Sequence, residues 1–137
     1  MGGETELVTL LAQLHPEMDE AEYTFVCVSD LDTATPVLDK VRGLFVEKEG
    51  ISLIVPTEVA SSQQWEATGS FRCITCNVHS SLEAVGMTAA ISAALTATGI
   101  SANVVAAYYH DHLFVPTEQA EDALSALRRL SAGQVKS

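Results

Sequence analysis

Gly86–Pro116 reads GMTAAISAALTATGISANVVAAYYHDHLFVP, and this stretch decides the fold. Met87, Ile91 and Leu95 recur at helical spacing among small residues, and Gly99 stands where a C′ glycine closes a helix. Ala84 extends the stripe upstream, so the spacing predicts a helix over about Leu82 to Thr98. Asn103 to Tyr109 and His112 to Val115 then read as two strands joined through Asp111, a residue type suited to turns.

Working outward, Phe71 to His79 alternates, with Ile74, Cys76 and Val78 on one face and Cys73, Thr75, Asn77 and His79 on the other. Beyond the hairpin, Ala120, Ala123, Leu124, Leu127 and Leu130 mark an amphipathic helix that Thr117 is placed to cap. Strand, helix, strand, strand, helix is most of a split βαβ, or ferredoxin-like, unit.

The first half carries weaker signals. Leu7, Leu10, Leu11 and Leu14 form the stripe of a short helix, and Pro16 follows its end. YTFVCV (Tyr23–Val28) and ISLIV (Ile51–Val55) read as strands, the second entered through Gly50 and stopped by Pro56. Leu31 to Arg42 lacks periodicity and reads as loop with a helical turn, while Glu47 and Glu49 read as a solvated turn. LIVPTEVA (Leu53–Ala60) and LFVPTEQA (Leu113–Ala120) match at six of eight positions with an offset of 60. The chain is therefore an incomplete duplication, divided at about 1–66 and 67–137, whose first copy lacks a counterpart of the long helix.

Composition narrows the function. One domain-sized chain of 137 residues can bury roughly two thirds of its unfolded surface, so its core needs no metal or disulfide. With 18 acidic against 7 basic residues the net charge is -11, which repels phosphate backbones and anionic membranes, so neither nucleic acid nor membrane is an expected partner. Ala84 to His110 has no Asp, Glu, Lys or Arg, but Gly, Thr, Ser and Asn interrupt it and leave no continuous span. Met1-Gly2-Gly3-Glu4 opens no export signal, and three cysteines without framework spacing suit a reducing cytoplasm.

Gly86, Ala89, Ile91, Leu95 and Gly99-Ile100 have the spacing of the ACT-domain pattern, which covers residues 73 to about 130. With HSSLEAVGMTAAISAALTATGISANVVAAYYHDHLFVP and the upstream LFVEKEGISLIVP, nearly the whole chain resembles stand-alone tandem ACT proteins. Their relatives include the ACT pairs of aspartate kinases and eukaryotic cytosolic arginine sensors. The resemblance implies an α+β fold of two βαββαβ units, the N-terminal one abbreviated, with antiparallel sheets carrying helices on one face. It also implies ligand-responsive regulation with amino acids as the ligand class, and a homodimer. Two departures bear on the ligand: Val85 replaces the common proline before Gly86, and Ser101 replaces the asparagine of Gly-Ile-Asn, which arrives only at Asn103.

The ferredoxin-like topology brings His79, the start of the long helix and the His110-Asp111-His112 hairpin to one end of the sheet. Three readings stand open there: a ligand pocket, a three-histidine metal site, and a plain hairpin tip with half-solvated imidazoles. In the pocket reading, N–H groups of the first helical turn attract a carboxylate. His79, Ser80, Ser81 and Gly86 supply the loop, and Ser101, Asn103, Tyr109, His110 and His112 supply the strands. Ser80 with Glu83 is alternatively a capping box, which fails if the helix starts at Gly86. Cys73-x-x-Cys76 lies on a strand, where its two thiols face opposite sides, and reads as structural. His110 and Asp111 point apart as strand neighbours, and no P-loop, GxSxG, HExxH or dinucleotide motif is present. The expectation is a non-catalytic sensor without metal or cofactor, or else an interaction module that associates through its sheets.

Overall fold

The structure is a computed structural model that describes residues 3–77 and 86–133. In chain order it runs α1 (Gly3–Ala12), β1 (Pro16–Val28), α2 (Leu31–Ala34) with a 3-10 segment (Thr35–Lys40), β2 (Gly43–Val46), β3 (Ile51–Pro56) and α3 (Thr57–Gln63). It continues with β4 (Thr68–Cys76), α4 (Met87–Ala97), β5 (Asn103–Ala106), β6 (Asp111–Pro116), a 3-10 turn (Thr117–Gln119) and α5 (Ala120–Ser131). The strands hydrogen-bond in the order β2-β3-β1-β4-β6-β5, and the β1–β3, β2–β3 and β5–β6 pairs are antiparallel. The α+β fold expected from sequence is the one observed. Among the described residues no helix is long and apolar enough to cross a membrane.

By packing, the chain divides into residues 21–71 and a discontinuous unit of 1–20 with 72–137. Duplication divides the chain in sequence order, whereas packing groups α1 with the helices of the second half. Each unit has the ferredoxin-like strand order.

In the discontinuous unit, Ile74, Cys76, Leu113 and Val115 form the sheet side of a core closed by Met87, Ile91 and Leu95 of α4 and Leu124, Leu127 and Leu130 of α5. Leu10 and Leu11 of α1 pack against it and Leu14 is fully buried, so the leucine stripe covers these helices as its spacing predicts. Gly99 adopts φ +74°, Gly99 N donates to Thr96 O (2.9 Å), and Ile100 N donates to Leu95 O (3.0 Å). This is a Schellman ending whose apolar residue, Ile100, is buried. Asn77 ties β4 to the α1–β1 connection: its N donates to Leu14 O and its Nδ2 to His15 O, both at 2.8 Å.

In the 21–71 unit, Val26 and Val28, Leu53 and Val55, and Val37 and Val59 build a smaller core. Thr24, fully buried, exchanges two bonds with Thr68: its Oγ1 donates to Thr68 O and accepts from Thr68 N. Glu47 N and Gly50 O close the β2–β3 turn at 2.9 Å, with Glu47 also bonded to Ser52 Oγ.

Several sequence expectations change. β1 begins at Pro16 rather than Tyr23, because the acidic stretch PEMDEAE is held by tertiary contacts such as Arg72 Nη2 donating to Asp19 O (2.6 Å). β2 stands in a stretch for which the sequence carried no strand expectation, and Leu31–Arg42, expected as loop with a helical turn, holds that turn plus a 3-10 segment. Thr117 opens a 3-10 turn, and the residue at the N-cap of α5 is Gln119. Cys73, assigned to a polar face, is buried, so β4 is covered on both sides there.

Candidate functional site

The geometry that matters lies where β4 ends and β6 begins. β5 and β6 pair from Asn103↔Phe114 to Ala106↔Asp111, and Ala107 N donates to His110 O (3.1 Å). The hairpin tip is therefore Ala107–His110. Asp111 is the first residue of β6 and not the turn residue, because the ladder is already closed at Ala106↔Asp111. Tyr108 and Tyr109 sit in the tip, 75% and 63% exposed, with rings packed edge to face at 5.0 Å, so neither is the strand residue expected.

Along β6, Leu113 and Val115 face the helices, so the strand period puts His112 on the opposite face. The same argument places Thr75 between the core residues Ile74 and Cys76. The two meet, with Thr75 Oγ1 2.9 Å from His112 Nδ1. His110 joins them, its ring 6.5 Å from that of His112 and 6.4 Å from that of Tyr109. His110 Nδ1 is buried and has no hydrogen-bond partner among the described residues. A buried ring nitrogen left unsatisfied costs about 1–3 kcal/mol, so this atom is a ready donor or acceptor for a bound polar group.

Asp111 belongs to the helix-facing side, beside Cys76. Burial, then the negative charge of Asp111, then Cys73, push the Cys76 thiol up to about 12. It is therefore a protonated, inert thiol at neutral pH. The Thr75–His112 contact has the form of a hydroxyl beside a base, but Asp111 is turned away from it, and an imidazole without an orienting acid makes a poor general base. Among the described residues no group of three His, Cys, Asp or Glu is gathered to hold a metal ion.

The sequence-derived site residues separate into groups. Gly86 caps α4 at φ +94°, so α4 begins at Met87 and a Ser80–Glu83 box does not cap it. Tyr109, His110 and His112 lie together. Ser101 and Asn103 lie at the other end of β5: Asn103 Nδ2 donates to Phe114 O (3.2 Å), three residues and about 10 Å of strand before the turn. His79, Ser80 and Ser81 fall outside the described residues. Thr75, the partner of His112, was placed on the polar face of its strand but not among the site residues, because its role depends on the register between β4 and β6 and no local pattern encodes that.

A model for the ACT domain matches residues 2–72, and a second ACT-domain model matches residues 69–129. A Vibrio cholerae protein of unknown function, described as a possible transport protein, is 40% identical, with 95% of this chain and 99% of that one covered and a TM-score of 0.85. The regulatory subunit of aspartate kinase from Thermus thermophilus, in its ligand-free form, shares the fold at 12% identity and a TM-score of 0.66, with 84% and 95% covered. That from Thermus flavus does so at 13% identity and 0.62, again with 84% and 95% covered. No curated protein matches the sequence. With its duplicated Pro-Thr-Glu strand ends and ferredoxin-like strand order in each unit, the chain belongs to the ACT-domain family and carries two ACT domains in tandem.

Proposed function

We propose that this protein is an amino-acid-binding regulatory protein without catalytic activity, cytoplasmic and homodimeric, built as a duplication divided near residue 67. The ligand is held at the end of the second half where β4, β6 and the hairpin tip converge, with Thr75, Tyr109, His110 and His112 as contacts. Gly86 and, from the sequence alone, His79, Ser80 and Ser81, which lie outside the described residues, complete the proposed set. The observation that carries this reading is His110 Nδ1, buried and unsatisfied beside a second imidazole in a protein with tandem ACT domains. Its natural complement is a carboxylate or amino group of a small zwitterion. Calorimetric titration with each of the twenty amino acids tests it: one should bind, and binding should weaken at least about tenfold in His110→Ala. Absence of binding down to millimolar affinity contradicts it.

A second reading, association through the sheet, is favoured by β2. This edge strand leaves Leu44, Phe45 and Val46 exposed, at 38%, 70% and 64%, with no charged or proline residue inside it to deter pairing. Light scattering of wild type and Phe45→Lys tests this pairing: a dimer in wild type that falls to a 14.6 kDa species in Phe45→Lys supports it, and a 14.6 kDa species from wild type removes the homodimer from both readings.

A further inference from the structure

The β5–β6 hairpin tip has a counterpart in the first half at the same offset of 60. Glu47 N donates to Gly50 O (2.9 Å) just beyond the Val46↔Ile51 pair, and Ala107 N donates to His110 O (3.1 Å) just beyond Ala106↔Asp111. One turn carries Glu47-Lys48-Glu49-Gly50 and the other Ala107-Tyr108-Tyr109-His110. The first consists of charged side chains and a glycine, so this backbone closes without any aromatic residue. Closing the hairpin therefore does not account for Tyr108 and Tyr109.

Packing onto the core does not account for them either. Neither belongs to a buried cluster, and most of both side chains is open to solvent. Their rings meet edge to face, with centroids 5.0 Å apart and planes at 84°, so the two form one contiguous aromatic patch on a hydrogen-bonded turn. A lone exposed apolar side chain is ordinary on a protein surface, but a paired patch on a turn that closes without it points to a partner.

Charge selects the partner. From Cys73 to Leu127 the chain has no Lys or Arg, while Glu83, Asp111, Glu118, Glu121 and Asp122 are acidic and the whole chain carries -11. Nucleic acid and anionic membranes are repelled, and a second copy meeting tip to tip would set two such stretches against each other. A cationic partner is attracted, and this stretch supplies no cation of its own to compete for the rings. Arginine suits them better than lysine, because its planar, weakly hydrated guanidinium stacks on an aromatic face. Tyrosine and arginine are also the side chains on which protein interfaces concentrate their binding energy.

We infer that the Tyr108–Tyr109 tip is a docking site for an arginine-bearing segment of a partner protein, whose guanidinium groups lie on the exposed tyrosine faces. The site goes beyond the ligand reading and shares only Tyr109 with it.

The test is an amide-resolved NMR titration of the full chain, with no amino acid added, using the capped peptides Gly-Arg-Gly-Arg-Gly and Gly-Lys-Gly-Lys-Gly at physiological salt. The arginine peptide should give saturable shifts at the amides of residues 107–110, and the lysine peptide of equal charge should bind at least about threefold more weakly. Tyr108→Ser, at a turn position that Lys48 fills in the other half, should weaken arginine-peptide binding at least about fivefold. No saturable shift up to about 10 mM peptide, equal affinity for the two peptides, shifts confined to residues outside 106–111, or undiminished binding in Tyr108→Ser overturns the inference. Two other occupants have their own outcomes. A dimer seen by light scattering that Tyr108→Ser dissolves would make the tip a contact between copies, and cosedimentation with phosphatidylcholine vesicles that Tyr108→Ser abolishes would make it a membrane contact; either overturns the inference. Amino-acid binding is read in a separate titration, so this inference and the histidine ligand site fail separately.

Discussion

The two halves share a strand order and a Pro-Thr-Glu signature but differ in what covers the sheet. Among the described residues, α1, α4 and α5 of the discontinuous unit lie over a core of fifteen buried residues; in the 21–71 unit α2, a 3-10 segment and α3 lie over nine. Shortening the first crossover from the eleven residues of α4 to the four of α2 thins the core and opens a cleft above it. The larger buried cluster lies in the discontinuous unit, and the smaller one lies beneath an open cleft.

Truncating Leu95, fully buried between α4 and α5, should cost about 3–4 kcal/mol. Val59→Ala, in the smaller core beneath the open cleft, should cost about 1.5 kcal/mol. Urea unfolding monitored at Trp65 measures both, and equal losses would break the contrast between the units.

The next effect is alkaline. The thiol of Cys76 is raised from 9.0 to about 12 in the folded chain. A raised folded value means stability that is complete below pH 9 and lost as pH climbs toward 12, about 2 kcal/mol by pH 10.5 as an upper estimate. Cys76→Ala should flatten that alkaline decline. Cys27, exposed in the other unit, should react with a thiol reagent at pH 8 while Cys73 and Cys76 wait for unfolding. Three fast thiols would contradict the burial.

Gly86→Ala places a Cβ at φ +94° and 3.4 Å from Leu7 Cδ2, so about 1–2 kcal/mol should be lost, read as a lower urea midpoint. Gln64 closes α3 at φ +61°, with Trp65 N donating to Ala60 O (2.9 Å), the same ending that Gly99 gives α4. Gln64→Gly should therefore raise stability by about 0.5–1 kcal/mol, the smallest effect; a loss would show that Gln64 does more than close the helix.

Most of the second half was legible because Met87, Ile91, Leu95 and Gly99 satisfy helix period and helix ending together, and because β-branched runs flank the turn. β1 extended beyond its visible core because Pro16–Glu22 has no strand propensity and is held by contacts distant in sequence. The hairpin was displaced by one residue pair. Asp111 has turn chemistry, but strand pairing runs through it, and the turn falls on Tyr108 and Tyr109, whose aromatic character signals strand. The candidate site was half legible: His110 and His112 are adjacent as their spacing suggests, while Thr75 depends on strand register, and Ser101 and Asn103 were carried to the site by a motif whose geometry places them at the opposite sheet end.

The most direct test of the central claim is a thermal-shift screen of the twenty amino acids on wild type and His110→Ala. A ligand at a hundred times its dissociation constant stabilises by about 2.7 kcal/mol, which for a chain of this size raises the midpoint by roughly 5–10 °C. The account predicts one such shift in wild type and its loss in the variant; no shift with any amino acid, or an undiminished shift in His110→Ala, would contradict it.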